Sequence, residues 1–313
     1  MHPALSVIFF TVASGAGFGL VMVTIVLDLL GGVPGLGATG TLVAAFTGVI
    51  LATAGLLAST LHLANPKNAW RAFFRFRSSW LSREAVFSVL FYPTMLLYML
   101  GLWMTGGAAQ SAWTALAGLL ALVLAVAAVF ATGMIYASLR TIPQWNSPLV
   151  PANYLLLSLA SGAVCLTVVV ALAQGQAEMV AMLALVLLSA AAVLKAIYFF
   201  WIGKPQGPTI NTAVGMTRGR MRLLESGQSS DSFLNKEFGY QASAKRIGQL
   251  RLVVYLFGFI APFVLIMQLI RTEAALLAPL AVLLLLTGLL AERWLFFAEA
   301  RHVVNLFYGR QSC

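Results

Sequence analysis

Charge is scarce in this chain. Asp, Glu, Lys and Arg supply only 9% of its 313 residues, against roughly a quarter in soluble domains, which excludes a protein that meets water on all sides. Cysteine is scarcer still: Cys165 sits inside an apolar run and Cys313 is the last residue. Two thiols cannot supply a four-cysteine iron–sulfur cluster or a structural zinc site, so no metal centre is expected in this chain. Histidine occurs only as His2, His62 and His302. A b-type haem needs two histidines facing each other at depth; His62 and His302 could both approach one face, so the residues alone leave a single haem open. Acidic groups number nine against nineteen Lys and Arg, a formal charge of +10. No basic soluble domain exists to present that charge to nucleic acid. The surplus points instead to anionic lipid headgroups or an acidic partner.

What is abundant is apolar length. Hydrophobic residues make up 61% of the chain, and a hydrocarbon core is crossed by about 20 such residues. Runs of that kind occupy about 4–30, 38–64, 84–105, 110–139, 151–174, 177–202, 249–270 and 274–300. The expected fold is an all-α, polytopic membrane domain of eight transmembrane helices spanning residues 1–313, with one long polar loop over 203–248. The first run has no basic leader and is too long for a signal-peptide core, so it reads as an uncleaved helix. Ser14, Gly15, Gly17 and Gly19 within it imitate a nucleotide-binding glycine pattern, but no strand precedes them. Small residues that let helices approach closely explain them better.

The cations are one-sided. With eight spans, the loops after the second, fourth and sixth share a face with both termini. That face holds sixteen Lys and Arg, among them Arg71, Arg75, Arg77, Arg140, Arg218, Arg220 and Arg222, whereas the opposite loops hold only Arg271. Lys195 and Arg293 fall inside helices. The positive-inside rule puts both termini in the cytoplasm, in the inner membrane of the cell.

Ionisable residues at membrane depth are costly and so are functional candidates. His62 ends the second span, Glu84 starts the third, Arg140 ends the fourth before TIPQWNSP, and Glu292 and Arg293 lie in the eighth. All converge on the basic face, whereas a transporter places its charges near the midplane on interrupted helices. A pocket there, lined by Trp70, Trp80, Trp145 and Tyr136 with a histidine and a carboxylate, suits a quinone, whose reduction takes up two protons with two electrons. The plainer account makes His62 an interfacial helix end, Glu84 an N-terminal charge favoured by the helix dipole, and the tryptophans an aromatic belt.

Three stretches carry a resemblance: LLASTLHLANPKNAWRAFFRFRSSWLSREAV, IYASLRTIPQWNSPLVP and LLAERWLFFAEARHVVNLFYG. Together they resemble the DMSO reductase anchor-subunit (DmsC-type) family over essentially the whole chain. The resemblance implies a haem-free, eight-helix anchor that holds a molybdopterin catalytic subunit and an iron–sulfur electron-transfer subunit to the bilayer and exchanges electrons with a quinone, ubiquinone or menaquinone. The family's histidine matches His62 and its acidic residue Glu84. The long loop and inward charge are similar to the anchors of cytoplasm-facing sulfite dehydrogenases, which implies sulfite oxidation with quinone reduction. A DMSO or other oxyanion reductase anchor oxidising quinol is the alternative, with a secondary transporter behind it. The expected quinone site is His62 and Glu84, with Arg71, Ser82, Arg140 and Trp145 lining it. The expected docking surface is Arg71, Arg75, Arg77, Arg218, Arg220 and Arg222.

Overall fold

A computed structural model describes residues 3–61, 65–106, 111–204, 207–216, 218–225 and 238–313. Among them, eight helices of 22 to 29 residues are long and apolar enough to cross a membrane. At 1.5 Å per residue each exceeds the roughly 30 Å hydrocarbon thickness. They are α1 (Leu5–Leu29), α2 (Gly37–Thr60), α3 (Trp80–Met104), α4 (Ala112–Ala137), α5 (Leu149–Leu172), α6 (Glu178–Ile202), α7 (Ala244–Thr272) and α8 (Leu277–Ala298). No sheet forms among the described residues; an isolated bridge pairs Thr209 with Ser312. Beyond each first turn the backbone donors of the spans are thus served within their own helices, as a bilayer demands.

Helix ends depart from the apolar runs where polar side chains cap them. α3 begins at Trp80 rather than 84 because the Ser79 hydroxyl accepts the Ser82 N–H at 3.4 Å. α7 begins at Ala244 rather than 249, with Ser243 accepting the Arg246 N–H at 3.3 Å. Hydropathy registers only the apolar part of a helix, whereas the cap sets where helical backbone starts. Inside α7, Leu256–Ile260 widens into a π turn. Pro262 follows at the start of the next regular stretch; it has no N–H to give the preceding turn, and the wider turn absorbs that gap.

α1 is the axle of the bundle, packed against α2, α4, α5 and α8. In α1, 83% of the most apolar window is buried, against 33% in α2, α3 and α7. Its small residues make this possible. A methyl group at Gly19 would overlap the Ser158 carbonyl of α5, and one at Gly17 would overlap the Gly48 and Ala52 backbone of α2. Gly162 of α5 meets Gly19 from the other side. Two helix backbones in contact gain dispersion over their length, the main attraction left where lipid tails are as apolar as leucine.

The connections at one end fold into a cap. The 138–148 segment turns inward, with Ile142, Gln144, Trp145 and Ser147 buried. The Val303 N–H donates to the Thr141 carbonyl at 3.0 Å, and the Ile210 N–H donates to the Gln311 carbonyl at 3.1 Å.

Gly19→Val should cost about 3 kcal/mol or more, since neither backbone can retreat without opening the α1–α5 contact. Gly248→Ala in α7, which meets no neighbour within 4 Å, should be neutral or gain about 0.5–1 kcal/mol. Thermal unfolding of both variants in detergent checks the contrast.

Candidate functional site

The capped end carries the basic residues, and two polar clusters lie just beneath it. The first is built where the segment after α2 meets α3. A 3₁₀ helix, Pro66–Arg75, holds Lys67, Arg71 and Arg75. Ser82 is buried, and its hydroxyl donates to the Ala72 carbonyl. Arg83 ties the same segment down, donating to the carbonyls of Phe76 at 3.0 Å and Arg77 at 2.9 Å, with its guanidinium 4.1 Å over the Trp80 ring. One turn into α3, Glu84 is 5% exposed and accepts the hydroxyl hydrogen of Thr132 from α4. Among the described residues, a carboxylate so placed is shielded from water and oriented by one neutral donor.

His62 lies outside the described residues, as do His2 and Lys236 of the polar loop. His302 is placed: its ring stacks on Phe238 at 4.5 Å, and its Nδ1 accepts the Val304 N–H at 3.0 Å. Arg71, Arg75, Arg77, Arg140, Arg218, Arg220 and Arg222 are all exposed, and Arg71 lies 5.7 Å over the exposed Trp70 ring.

The tryptophans do not form one pocket. Trp70 lies against Phe74 at 5.6 Å, and Trp80 against Phe130 at 5.9 Å. Trp145, by contrast, is 1% exposed and stacks on Phe296 at 5.2 Å, with its indole N–H donated to the Phe296 carbonyl at 2.9 Å. Its polar atom is already engaged. Tyr136, Tyr154, Phe296 and Phe297 complete an aromatic nest around it.

Beside that nest lies the second cluster, which spacing in the sequence does not reveal. Lys195 of α6 reaches Glu292 of α8 at 2.5 Å, both 1% exposed. Arg293 grips the same carboxylate through Nε and Nη2, the latter at 2.7 Å. Two cations on one carboxylate leave a net positive charge at depth, and aromatic faces receive it. Lys195 lies 4.6 Å over the Tyr198 ring, and Arg293 lies 4.2 Å over Tyr154 and 4.9 Å over Phe296. Such cation–π contacts are worth more when desolvated. At the rim, Arg251 pairs with Glu299 at 2.5 Å; burial pushes the Glu299 carboxyl above its ordinary range, and Arg251 opposes the shift. The available signal for this cluster was two ionisable residues side by side inside an apolar run, with one lysine alone in another.

Among the described residues, no three His, Cys, Asp or Glu side chains converge as metal ligands. What this end of the bundle offers instead is two membrane-level clusters of buried ionisable groups under a rim of exposed arginines.

Eight spans with a basic capped end and polar residues just below it define a multi-pass membrane protein. The family model for the DMSO reductase anchor subunit (DmsC) matches residues 1–310, and the chain belongs to that family. It is also 33% identical to the C subunit of the sulfite dehydrogenase of Allochromatium vinosum, over 98% of this chain and 99% of the relative. The protein is therefore the membrane anchor of an oxidoreductase assembly.

Glu292→Ala should be the most damaging single truncation at this end, at about 3–5 kcal/mol, because it leaves two buried cations without a counter-charge. Lys195→Met should cost less, since Arg293 still pairs with Glu292. Comparing the two unfolding midpoints in one detergent checks the order.

Proposed function

We propose that this anchor binds quinone beneath its basic end and passes electrons between an iron–sulfur partner subunit and the quinone pool, serving a molybdopterin enzyme that oxidises sulfite. The observation that carries the reading is Glu84, a buried carboxylate held by Thr132. It lies directly beside the arginine-rich connection that begins with His62. A quinone supplies a carrier for two electrons and two protons. In this arrangement Glu84 holds or releases one proton, and His62 exchanges another and donates to a ring carbonyl. Arg71 and Ser82 lie at the same helix junction, while Arg140 sits at the end of the helix that carries Thr132. The Trp145 indole, already bonded to Phe296, acts by shaping the floor behind the site.

The exposed guanidinium groups of Arg71, Arg75, Arg77, Arg218, Arg220 and Arg222 suit an acidic face on the iron–sulfur subunit. Such complementarity sets register and association rate more than affinity. The relative's name supports sulfite as the partner's substrate. The sixteen cations on one side support a cytoplasmic location for that face in the inner membrane.

Glu84→Gln and His62→Ala should leave the complex assembled and its activity with soluble dyes intact. Quinone-linked turnover should fall by about 10²-fold or more, the loss expected for a proton-transfer group. Normal quinone-linked turnover in a variant would remove that residue from the site.

For orientation, a reporter fused after Cys313 should be active only as a cytoplasmic reporter. Activity of a periplasmic reporter at the same point would reverse the assignment.

A further inference from the structure

The connection between α2 and α3 displays more aromatic surface than its packing uses. Residues 67–78 are exposed except for Ala72, which is half-buried. Trp70, Phe73, Phe74 and Phe76 are all among them, with Trp70 at 56% and Phe74 at 75%. In a 3₁₀ helix, side chains three residues apart eclipse one another, so Pro66–Arg75 carries three stripes. Ala69, Ala72 and Arg75 form one. It is the stripe turned to α3, because Ala72 is the residue shielded there and its carbonyl accepts the Ser82 hydroxyl. Lys67, Trp70 and Phe73 form the second, which Phe76 extends just past the helix end. Asn68, Arg71 and Phe74 form the third, with the Phe74 ring against Trp70 at 5.6 Å.

The second stripe lies at membrane depth. Its Phe76 ring meets Phe87 of α3 at 5.8 Å. Phe87 is seven residues inside the Trp80 start of α3, about 10 Å at 1.5 Å per residue. The 25 residues of α3 span about 37 Å against a hydrocarbon layer of about 30 Å. Phe87 is therefore within the hydrocarbon and Phe76 at its edge. α3 stands at the outside of the bundle, with Leu81, Val89 and Leu90 exposed. Charge at this junction has one sign. No Asp or Glu occurs between Asp28 and Glu84, whereas Lys67, Arg71, Arg75, Arg77 and Arg83 all do.

We propose that Pro66–Arg75 is an interfacial helix that binds anionic phospholipid of the adjoining leaflet. Trp70, Phe73 and Phe76 enter the boundary between headgroups and acyl chains, where aromatic rings of amphipathic helices settle. Lys67 at the head of that stripe and Arg75 beside its foot, both exposed, reach lipid phosphates along their apolar stems. Arg71, on the third stripe, stays on the water side. An acidic protein face would suit the same cations, but it would bring no hydrocarbon to rings at this depth, so the geometry favours lipid. Ser82 and Arg83 fasten the segment to the first turn of α3. Lipid bound here therefore also steadies the turn that carries Glu84.

The test uses the full anchor, alone and with its partner subunits, in nanodiscs of equal parts phosphatidylcholine and phosphatidylglycerol. A nitroxide attached through Phe73→Cys, with Cys165 and Cys313 replaced, should collide with oxygen more often than with a water-soluble nickel chelate. One attached through Asn68→Cys should show the reverse. Trp70→Cys reads the same stripe if the first variant does not fold. In the unaltered chain, phosphatidylglycerol with a diazirine in its acyl tail should label residues 66–77 about fivefold more than the matching phosphatidylcholine probe, the factor that a single surface cation contributes. That preference should vanish in the Lys67→Gln/Arg75→Gln double variant. A nickel preference along the aromatic stripe, or equal labelling by the two lipids, would overturn the proposal. So would shielding of the stripe that arises only when the partner subunits are present, which would make it a protein contact.

Discussion

Glu292 is held at membrane depth between Lys195 and Arg293, and much of the basic end is arranged around that one carboxylate. An ion in hydrocarbon is tolerated only with a partner and with its remaining polar atoms directed somewhere. Here the partner comes from α6, so the ion pair fixes α6 against α8. The surplus positive charge is spread over the faces of Tyr198, Tyr154 and Phe296, which commits α5 to the same neighbourhood. Trp145 then stacks on Phe296 and seals the cluster from the aqueous side. A stretch that would otherwise be a surface loop becomes a plug, because the charge below it must be kept dry and the aromatic nest needs a lid.

The Glu84 cluster is built on a different principle. Among the described residues it has one neutral donor, Thr132, and no cation in its pairings. Its protection comes from the backbone wrapping of the preceding segment, fastened by Ser82 and Arg83. The two carboxylates of this end therefore have different characters. Glu292 is paired with two cations and serves the architecture, whereas Glu84 meets a neutral hydroxyl. Proton exchange with a bound ligand requires the second kind. Within this family of membrane anchors, that difference makes Glu84 the better candidate for chemistry and Glu292 for support.

Helix packing sets the limits for both clusters. α1 touches four neighbours, and its glycines, which accept no side chain, bring it onto the backbones of two of them, α2 and α5. The close approach of α1 to α5 brings Thr11 beside Ser158, Ser161 and Tyr154.

Much of this was legible in the chain. A bilayer reads hydropathy one segment at a time, so the number of spans and the sidedness of the charge follow from local sums over about twenty residues. The position of Glu84 just inside a span, next to an arginine-rich connection, is also a local fact. The role of Trp145 was not legible: an aromatic beside polar residues near a helix end looks the same whether it faces a ligand or a neighbouring helix. Nor was the partner of Lys195, since 97 residues separate it from Glu292 and nothing in either segment encodes the distance between them. Which buried charges meet depends on how far apart remote helices stand. Only the tertiary packing of small residues along α1 decided that.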